Sequence, residues 1–438
     1  MENLKFYDAH CHALTLAHPN FLSFIELSKS RKAESLYAQV SAPDYLMGAV
    51  FAKGGESVLN MLSVMENDVG SIFMLMEDDL LGRYAKEGDG PALIQNGELC
   101  LGRLRFQKLV IVPLIMDFTQ KDTQTRDNYY DRPPSKPIDV QVRDVLLGIR
   151  DYRRARPDGF LEIRPFLGIN TANYSPDSLK ALLETAFNGY SRGAGAAEKA
   201  FAAMRDFQYE SEPGIPLRFA GVKVYPPLGF DPWPDEGPER EKVQLLYSFC
   251  EQRGIPITSH CDDQGFRVIP LEMARLFTSP ARWSSVLKAH PKLRLDLAHF
   301  GAQYSRPMEK AMELAPSWSL GGMTATAKKL AESFAQPTEW RDDIIKLILE
   351  YPNFYTDFSF DGVEASYYSG LIALLGRQSR ADRELIEDRL MFGSDFMVNL
   401  SKIRCYSDYY RVFSDSAMPD EWKLRFGSAN PARFLTGE

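Results

Sequence analysis

Short apolar runs alternate along this chain with segments of helical period. Eight of them are bounded by polar or turn residues: 4–9, 109–116, 161–169, 221–225, 255–259, 293–298, 353–358 and 390–394. Runs of this length read as buried strands. Between them, Ser175-Pro176-Asp177 opens a helix reaching to about Asn188, with proline in the first turn, where its missing N–H costs nothing. A second amphipathic stretch, 239–253, stops at Gly254, a helix-ending signal. Segment 341–350 stops before Pro352, and 381–389 leads into the last strand. Strands alternating with helices predict a parallel sheet. Eight such units predict an α/β fold of the closed (β/α)8 TIM-barrel type. An open doubly wound sheet is the fallback, weakened because no Gly-x-Gly-x-x-Gly follows the first strand.

At 438 residues the chain exceeds the ~250 typical of such a barrel, so the excess belongs in loops. The largest insertion, about 13–108, separates strands one and two. It holds a long apolar helical stretch, 57–84, and then 92–107, which reads as a hairpin turning at Asn96-Gly97. Polar 118–136 follows strand two, proline-rich 226–240 follows strand four, and 300–339 follows strand six. All of these follow strand C-termini, the face on which barrels carry their sites. No repeat or clear linker interrupts the pattern, so 1–438 reads as a single domain.

A net charge of −8 argues against a nucleic-acid partner, and no long Lys/Arg run offers itself to a membrane. The chain begins Met1-Glu2-Asn3 without a secretory pattern, and its five scattered cysteines suggest no disulfide framework. The expectation is a cytoplasmic protein acting on a small-molecule substrate. The apolar insertion 57–84 would serve as the surface of a homodimer.

The six histidines carry the chemistry. His10 and His12 close the first strand two residues apart, so alternation puts both on one face. Strand five runs into His260, strand six into His299 and strand eight into Asp395, while strand four carries Lys223. In a closed barrel strand eight lies beside strand one, which brings Asp395 to the His10/His12 pair. Such a convergence of imidazole and carboxylate groups points to a metal centre. Asp262 and Asp263 either orient a ligand or belong to a solvated loop. Asp117 and Arg164, near strands two and three, are candidates to meet substrate. Arg164 could fork onto a carboxylate, with an internal ion pair as the alternative. His18 and His290 lie away from strand ends and read as surface or capping residues. Cys11, Cys250 and Cys261 read as small core residues.

The segments Asp8-Ala9-His10-Cys11-His12, Gly221-Val222-Lys223-Val224-Tyr225-Pro226-Pro227, Leu297-Ala298-His299-Phe300-Gly301 and Asn430-Pro431-Ala432-Arg433-Phe434-Leu435, with His260 and Asp395, carry a likeness. Together they resemble the amidohydrolase superfamily, and within it the amidohydrolase-related branch that includes aminocarboxymuconate semialdehyde decarboxylase. The resemblance implies His10, His12 and His260 as nitrogen ligands of a divalent ion, Zn²⁺ being favoured. Asp395 would be a further ligand or would hold the metal's water, and His299 the general acid/base, with a fourth ligand or a core histidine as alternatives. In the binuclear branch a strand-four lysine is carboxylated and bridges two metals. The branch matched here generally manages with one, leaving Lys223 structural or in contact with a substrate anion, with Asp8 as a partner for its charge.

Three functions follow. One is a metal-dependent hydrolase whose metal-bound hydroxide attacks an amide, ester or lactone. Another is a non-oxidative decarboxylase of an aromatic or dienoic acid using the same residues. The third is a metal-stabilised barrel without catalysis.

Overall fold

The computed structural model describes residues 4–19, 56–119, 138–193, 195–205, 219–304 and 339–438. All eight expected strand positions are present. They are β1 (Lys5–Cys11), β5 (Lys108–Pro113), β6 (Leu161–Ile163) with β7 (Phe166–Gly168), β8 (Gly221–Val224), β9 (Ile257–Ser259), β10 (Leu295–Leu297), β11 (Phe354–Asp357) and β12 (Leu390–Met391). The third position is split. β6 pairs with β5 and β7 with β8, and the break falls at Arg164-Pro165, where proline has no N–H to give a ladder.

Every pairing among these strands is parallel, in the orders β1-β5-β6 and β12-β11-β10-β9-β8-β7. The two sheets meet at both margins. On one side Leu114 bridges Phe166, and Ile115 N donates to Phe166 O at 3.1 Å. On the other Cys11 bridges Phe396, Ala9 N donates to Phe392 O at 3.0 Å, and Asp395 N donates to His10 O at 2.7 Å. The strands thus come round into the barrel ring, with the end of strand eight against strand one. Both faces of such strands are covered, which is why their runs are apolar rather than alternating.

Outer helices start and stop where their sequence signals lie. Ser175 caps α4 (Pro176–Ala186) in a capping box with Ser178, and α5 (Pro238–Arg253) ends at Gly254 with φ 72°. α6 (Glu339–Glu350) and α7 (Arg380–Glu387) precede β11 and β12. α8 (Tyr406–Asp415) and α9 (Asn430–Thr436) follow the last strand. The ring of Phe434 in α9 stands 5.3 Å from Tyr355 and 6.3 Å from Phe166. Both partners lie two residues ahead of Asp357 and Gly168 on their strands, so α9 covers the N-terminal mouth and leaves the C-terminal mouth to the site.

The insertion differs from the single helix expected over 57–84. It breaks into α1 (Glu56–Met65) and α2 (Val69–Leu80), because Asp68 turns its carboxylate onto Ser71 N at 2.9 Å and caps a new helix. The hairpin forms with Asn96 and Gly97 at φ 52° and 79°, and a further turn at Gly102 adds a third strand. The result is a meander of β2 (Ile94–Gln95), β3 (Glu98–Leu101) and β4 (Leu104–Phe106). α2 packs on α3 (Ile138–Ala155) so closely that a Cβ at Gly148 would lie 2.6 Å from Val69 Cγ1. Most of the loops 118–136 and 300–339 lies outside the described residues.

Candidate metal and active site

β1 presents His10 and His12 at its C-terminal end, both buried. Each ring is fixed through Nδ1. His12 Nδ1 lies 3.0 Å from Leu114 O, which can only accept, so that nitrogen carries a proton and Nε2 is the end of the ring turned to the site. His10 Nδ1 lies 2.8 Å from Asp357 Oδ2. Burial pushes His10 down to about 3 against the pull of Asp357, so the ring is neutral and donates from Nδ1. Burial would raise Asp357, yet its hydrogen bonds from His10 and Ser359 keep it ionised, well below the usual carboxylate range.

Asp395 Oδ1 completes this group, 3.4 Å from His10 Nε2 and 3.1 Å from His12 Nε2. Three electron-pair donors therefore face one another, each ligand atom within 4.8 Å of the others. Among the described residues, buried His10 Nε2 has no hydrogen-bond partner. Lone pairs pointed at lone pairs inside a protein are costly unless a cation sits among them. The donor set, two imidazole nitrogens and a carboxylate, fits a divalent ion.

A second group adjoins it. His260 Nδ1 lies 3.1 Å from His299 Nε2, and His260 Nε2 lies 3.1 Å from Asp262 Oδ1. The His260 ring stacks on Tyr225 at 4.5 Å. His299 stands between the groups, with its ring centroid 5.0 Å from that of His10. Its Nδ1 meets Ser359 Oγ at 3.0 Å, and its backbone N–H donates to Asp357 Oδ1 at 3.1 Å. Burial alone would lower the His299 pKa, but the carboxylates of Asp262, Asp395 and Asp357 outweigh it and raise the value. Asp262 itself is held below the usual range: burial opposes this, and His260 overcomes it.

The candidates named from sequence thus divide. His10, His12 and Asp395 form one group, while His260 stands with His299 and Asp262. Asp262 is buried, not on a solvated loop. Asp357 and Ser359 were missed, although Asp357 closes an expected strand, the same signal that marked His260 and His299. Lys223 is 1% exposed, and its Nζ has no hydrogen-bond partner among the described residues. Burial draws its pKa down to about 8 despite Asp357, Asp296, Asp395 and Asp262 around it.

Asp8 is not its partner. The Asp8 carboxylate accepts from Ser394 N at 2.8 Å, Ser394 Oγ at 2.6 Å and the Tyr406 hydroxyl at 2.8 Å. Arg164 also stands elsewhere. It pairs with Glu162 at 3.3 Å and Glu198 at 3.8 Å and lies 4.1 Å over the Phe201 ring. Its position is four residues ahead of Gly168, the register partner of Lys223, or about 13 Å along a strand. The internal ion pair is therefore its role. Asp117 holds a loop, accepting from Thr119 N at 2.9 Å and Asn173 Nδ2 at 3.1 Å.

His18 and His290 are buried rather than surface residues. His18 bonds Asp144 at 3.0 Å and caps Thr15 N, and His290 bonds Gln244 at 2.7 Å. Cys11, Cys250 and Cys261 are fully buried.

Above the two groups opens a cavity of about 320 Å³, a size suited to a small molecule. His12, His260, His299 and Asp395 reach it from the barrel, and Met61 of α1 reaches it from the insertion. Tyr225, Phe266, Tyr304 and Phe360 also line the cavity, whereas Trp233 lies under Arg240 and Phe230 stacks on Trp283.

A family model described as amidohydrolase matches residues 215–436, just over half the chain. The chain belongs to the amidohydrolase family, and it is an enzyme of that family. No curated protein sequence matches it. Among solved structures it is similar to a 5-carboxyvanillate decarboxylase from Novosphingobium aromaticivorans complexed with manganese. That match has 10% identity and a TM-score of 0.46, over 99% of this chain and 95% of the other. A probable 2-pyrone-4,6-dicarboxylic acid hydrolase from Acinetobacter baumannii matches at 12% identity and a TM-score of 0.39, over 99% of each chain. A zinc-bound amidohydrolase from Burkholderia multivorans matches at 16% and 0.32, over 67% of this chain and 87% of the other. Among the described residues no helix is long and apolar enough to cross a membrane.

Proposed function

We propose that this chain is a metal-dependent hydrolase in which His10, His12 and Asp395 hold a divalent ion, Zn²⁺ being favoured. His260 is the further nitrogen ligand offered by the neighbouring group. One observation carries the reading: three buried acceptors face each other, and among the described residues His10 Nε2 has no hydrogen-bond partner. When bound, the ion would supply Lewis acidity, polarising a carbonyl and lowering the pKa of water. The chain's own residues do the rest. Asp357 and the Leu114 carbonyl orient the two imidazoles so that Nε2 of each faces Asp395. Asp395 is placed to accept a proton. His299, raised by three carboxylates and anchored by Ser359, is placed to hand one to a leaving group. The substrate is a small amide, ester or lactone. The same reading keeps 1–438 as one domain in the cytoplasm.

Non-oxidative decarboxylation is the second reading. The raised His299 pKa favours it, since a decarboxylated carbon needs a proton donor. The test is a screen of lactones, amides and aromatic acids with wild-type enzyme and two variants. His10→Ala should lose both metal and turnover. His299→Ala should keep metal and lose turnover by about 10²–10⁴-fold. Undiminished turnover in a metal-free preparation would refute the assignment, and loss of metal from His299→Ala would make that residue a ligand.

A further inference from the structure

Lys402 stands in the wall of the cavity. The turn that carries Asp395 carries it too. Asn399 N donates to Asp395 O at 3.1 Å, Asn399 Nδ2 donates to Ser394 O at 2.8 Å, and Lys402 N donates to Asn399 O at 2.8 Å. The ammonium lies 3.8 Å from the centroid of Phe360 and 5.3 Å from that of Tyr304. Two aromatic faces hold the charge in place, and the side chain is open to solvent at the cavity wall, so its three N–H donors are available to a ligand. Among the described residues the ammonium makes no hydrogen bond or ion pair. The carboxylates that act on it, Asp361, Asp262, Asp395 and Glu364, pair with other groups: Asp361 accepts from the Tyr304 hydroxyl, Asp262 from Gln264 N at 2.7 Å, Asp395 faces His12 at 3.1 Å, and Glu364 accepts from Ser366 Oγ at 3.2 Å.

Phe360 is held at φ 67°, a left-handed conformation that a bulky side chain rarely adopts. Strain of this kind persists where the surroundings enforce it, commonly at ligand clamps. Met61, Met116, Phe266 and Val398 supply an apolar lining to the same cavity. Apart from histidines, Lys402 is the one basic side chain lining it among the described residues.

We infer that Lys402 anchors an anionic group of the substrate, so that the substrate is a small molecule with an apolar body and a carboxylate remote from the group that reacts. The inference rests on the proposed site only for which end of the molecule reacts. The turn from Asp395 to Lys402 then sets the distance between the two recognised ends. A carboxylate there would take the free N–H donors and keep the aromatic seat.

The test is calorimetric titration of the metal-loaded full chain with benzoate and with the 1,2-, 1,3- and 1,4-benzenedicarboxylates, metal content being measured alongside. At least one dicarboxylate should bind wild type about tenfold or more tighter than benzoate, as expected for a hydrogen bond to a charged group. Lys402→Met should abolish that preference with benzoate affinity and metal content unchanged, and Lys402→Arg should retain it. No preference in wild type, no dicarboxylate binding at all, or a preference that survives Lys402→Met would each overturn the inference. Benzoate affinity indifferent to metal removal, with the Lys402-dependent preference intact, would count against the metal reading alone.

Discussion

At Asp8 five donors converge on one buried carboxylate: Ser394 N, Ser394 Oγ, the hydroxyls of Tyr406 and Tyr410, the last at 3.3 Å, and His10 N at 3.4 Å. Burial pushes this group up to about 6 in spite of them. Its work is mechanical, because Ser394 adjoins Asp395 and the tyrosines belong to α8. Each buried donor left without an acceptor costs about 1–3 kcal/mol. Asp8→Ala should therefore lower unfolding stability by about 3 kcal/mol, read from denaturant melts. A change under about 0.5 kcal/mol, the level of an ordinary surface substitution, would show that the carboxylate does not pin this junction. Strict alternation put Asp8 on the side of His10 and made it a partner for Lys223. The register shift between Asp8 and Cys11 breaks that alternation, and nothing in the residue types announces it. His299, Phe360 and Asp395 have φ of 63°, 67° and 57°. Sequence reading looks for glycine or asparagine at such positions, so their backbone was equally illegible.

Among elements, the insertion between β1 and β5 changes the site most. α2 is tied to the barrel through Glu77, which accepts from the Tyr152 hydroxyl at 2.8 Å, Arg156 Nη1 at 2.9 Å and Phe160 N at 2.8 Å. α1, the preceding helix, sends Met61 into the cavity. Removing one partner of a buried ion pair costs about 3–5 kcal/mol, and Arg156 is partly open to solvent. Glu77→Ala should thus destabilise the chain by about 3 kcal/mol in thermal or denaturant unfolding. An effect below about 1 kcal/mol would show that the network does not hold the insertion. The apolar period of this stretch and its Asn96-Gly97 turn were readable. The break at Asp68 was not, because an aspartate within a helical pattern becomes a cap only when its side chain turns onto the next N–H. Likewise the third strand read as continuous over 161–169, and Pro165 was the one residue able to show that it splits.

Across the whole molecule, the order of strands and the convergence of His10, His12, His260, His299 and Asp395 at one mouth were legible. Each follows from a local rule, apolar runs ending in polar residues, together with ring closure. What local rules do not encode is the division of these residues into two groups. That depends on Asp262 reaching His260 and on Asp357 reaching His10 across the barrel. The placement of Lys223 is also collective: four carboxylates surround it and none bonds it. The most direct test is metal content per chain, by elemental analysis of protein prepared without added metal and again after supply of Zn²⁺. The account predicts about one divalent ion per chain, lost in His10→Ala. An ion-free wild-type protein, even after metal is supplied, would contradict it.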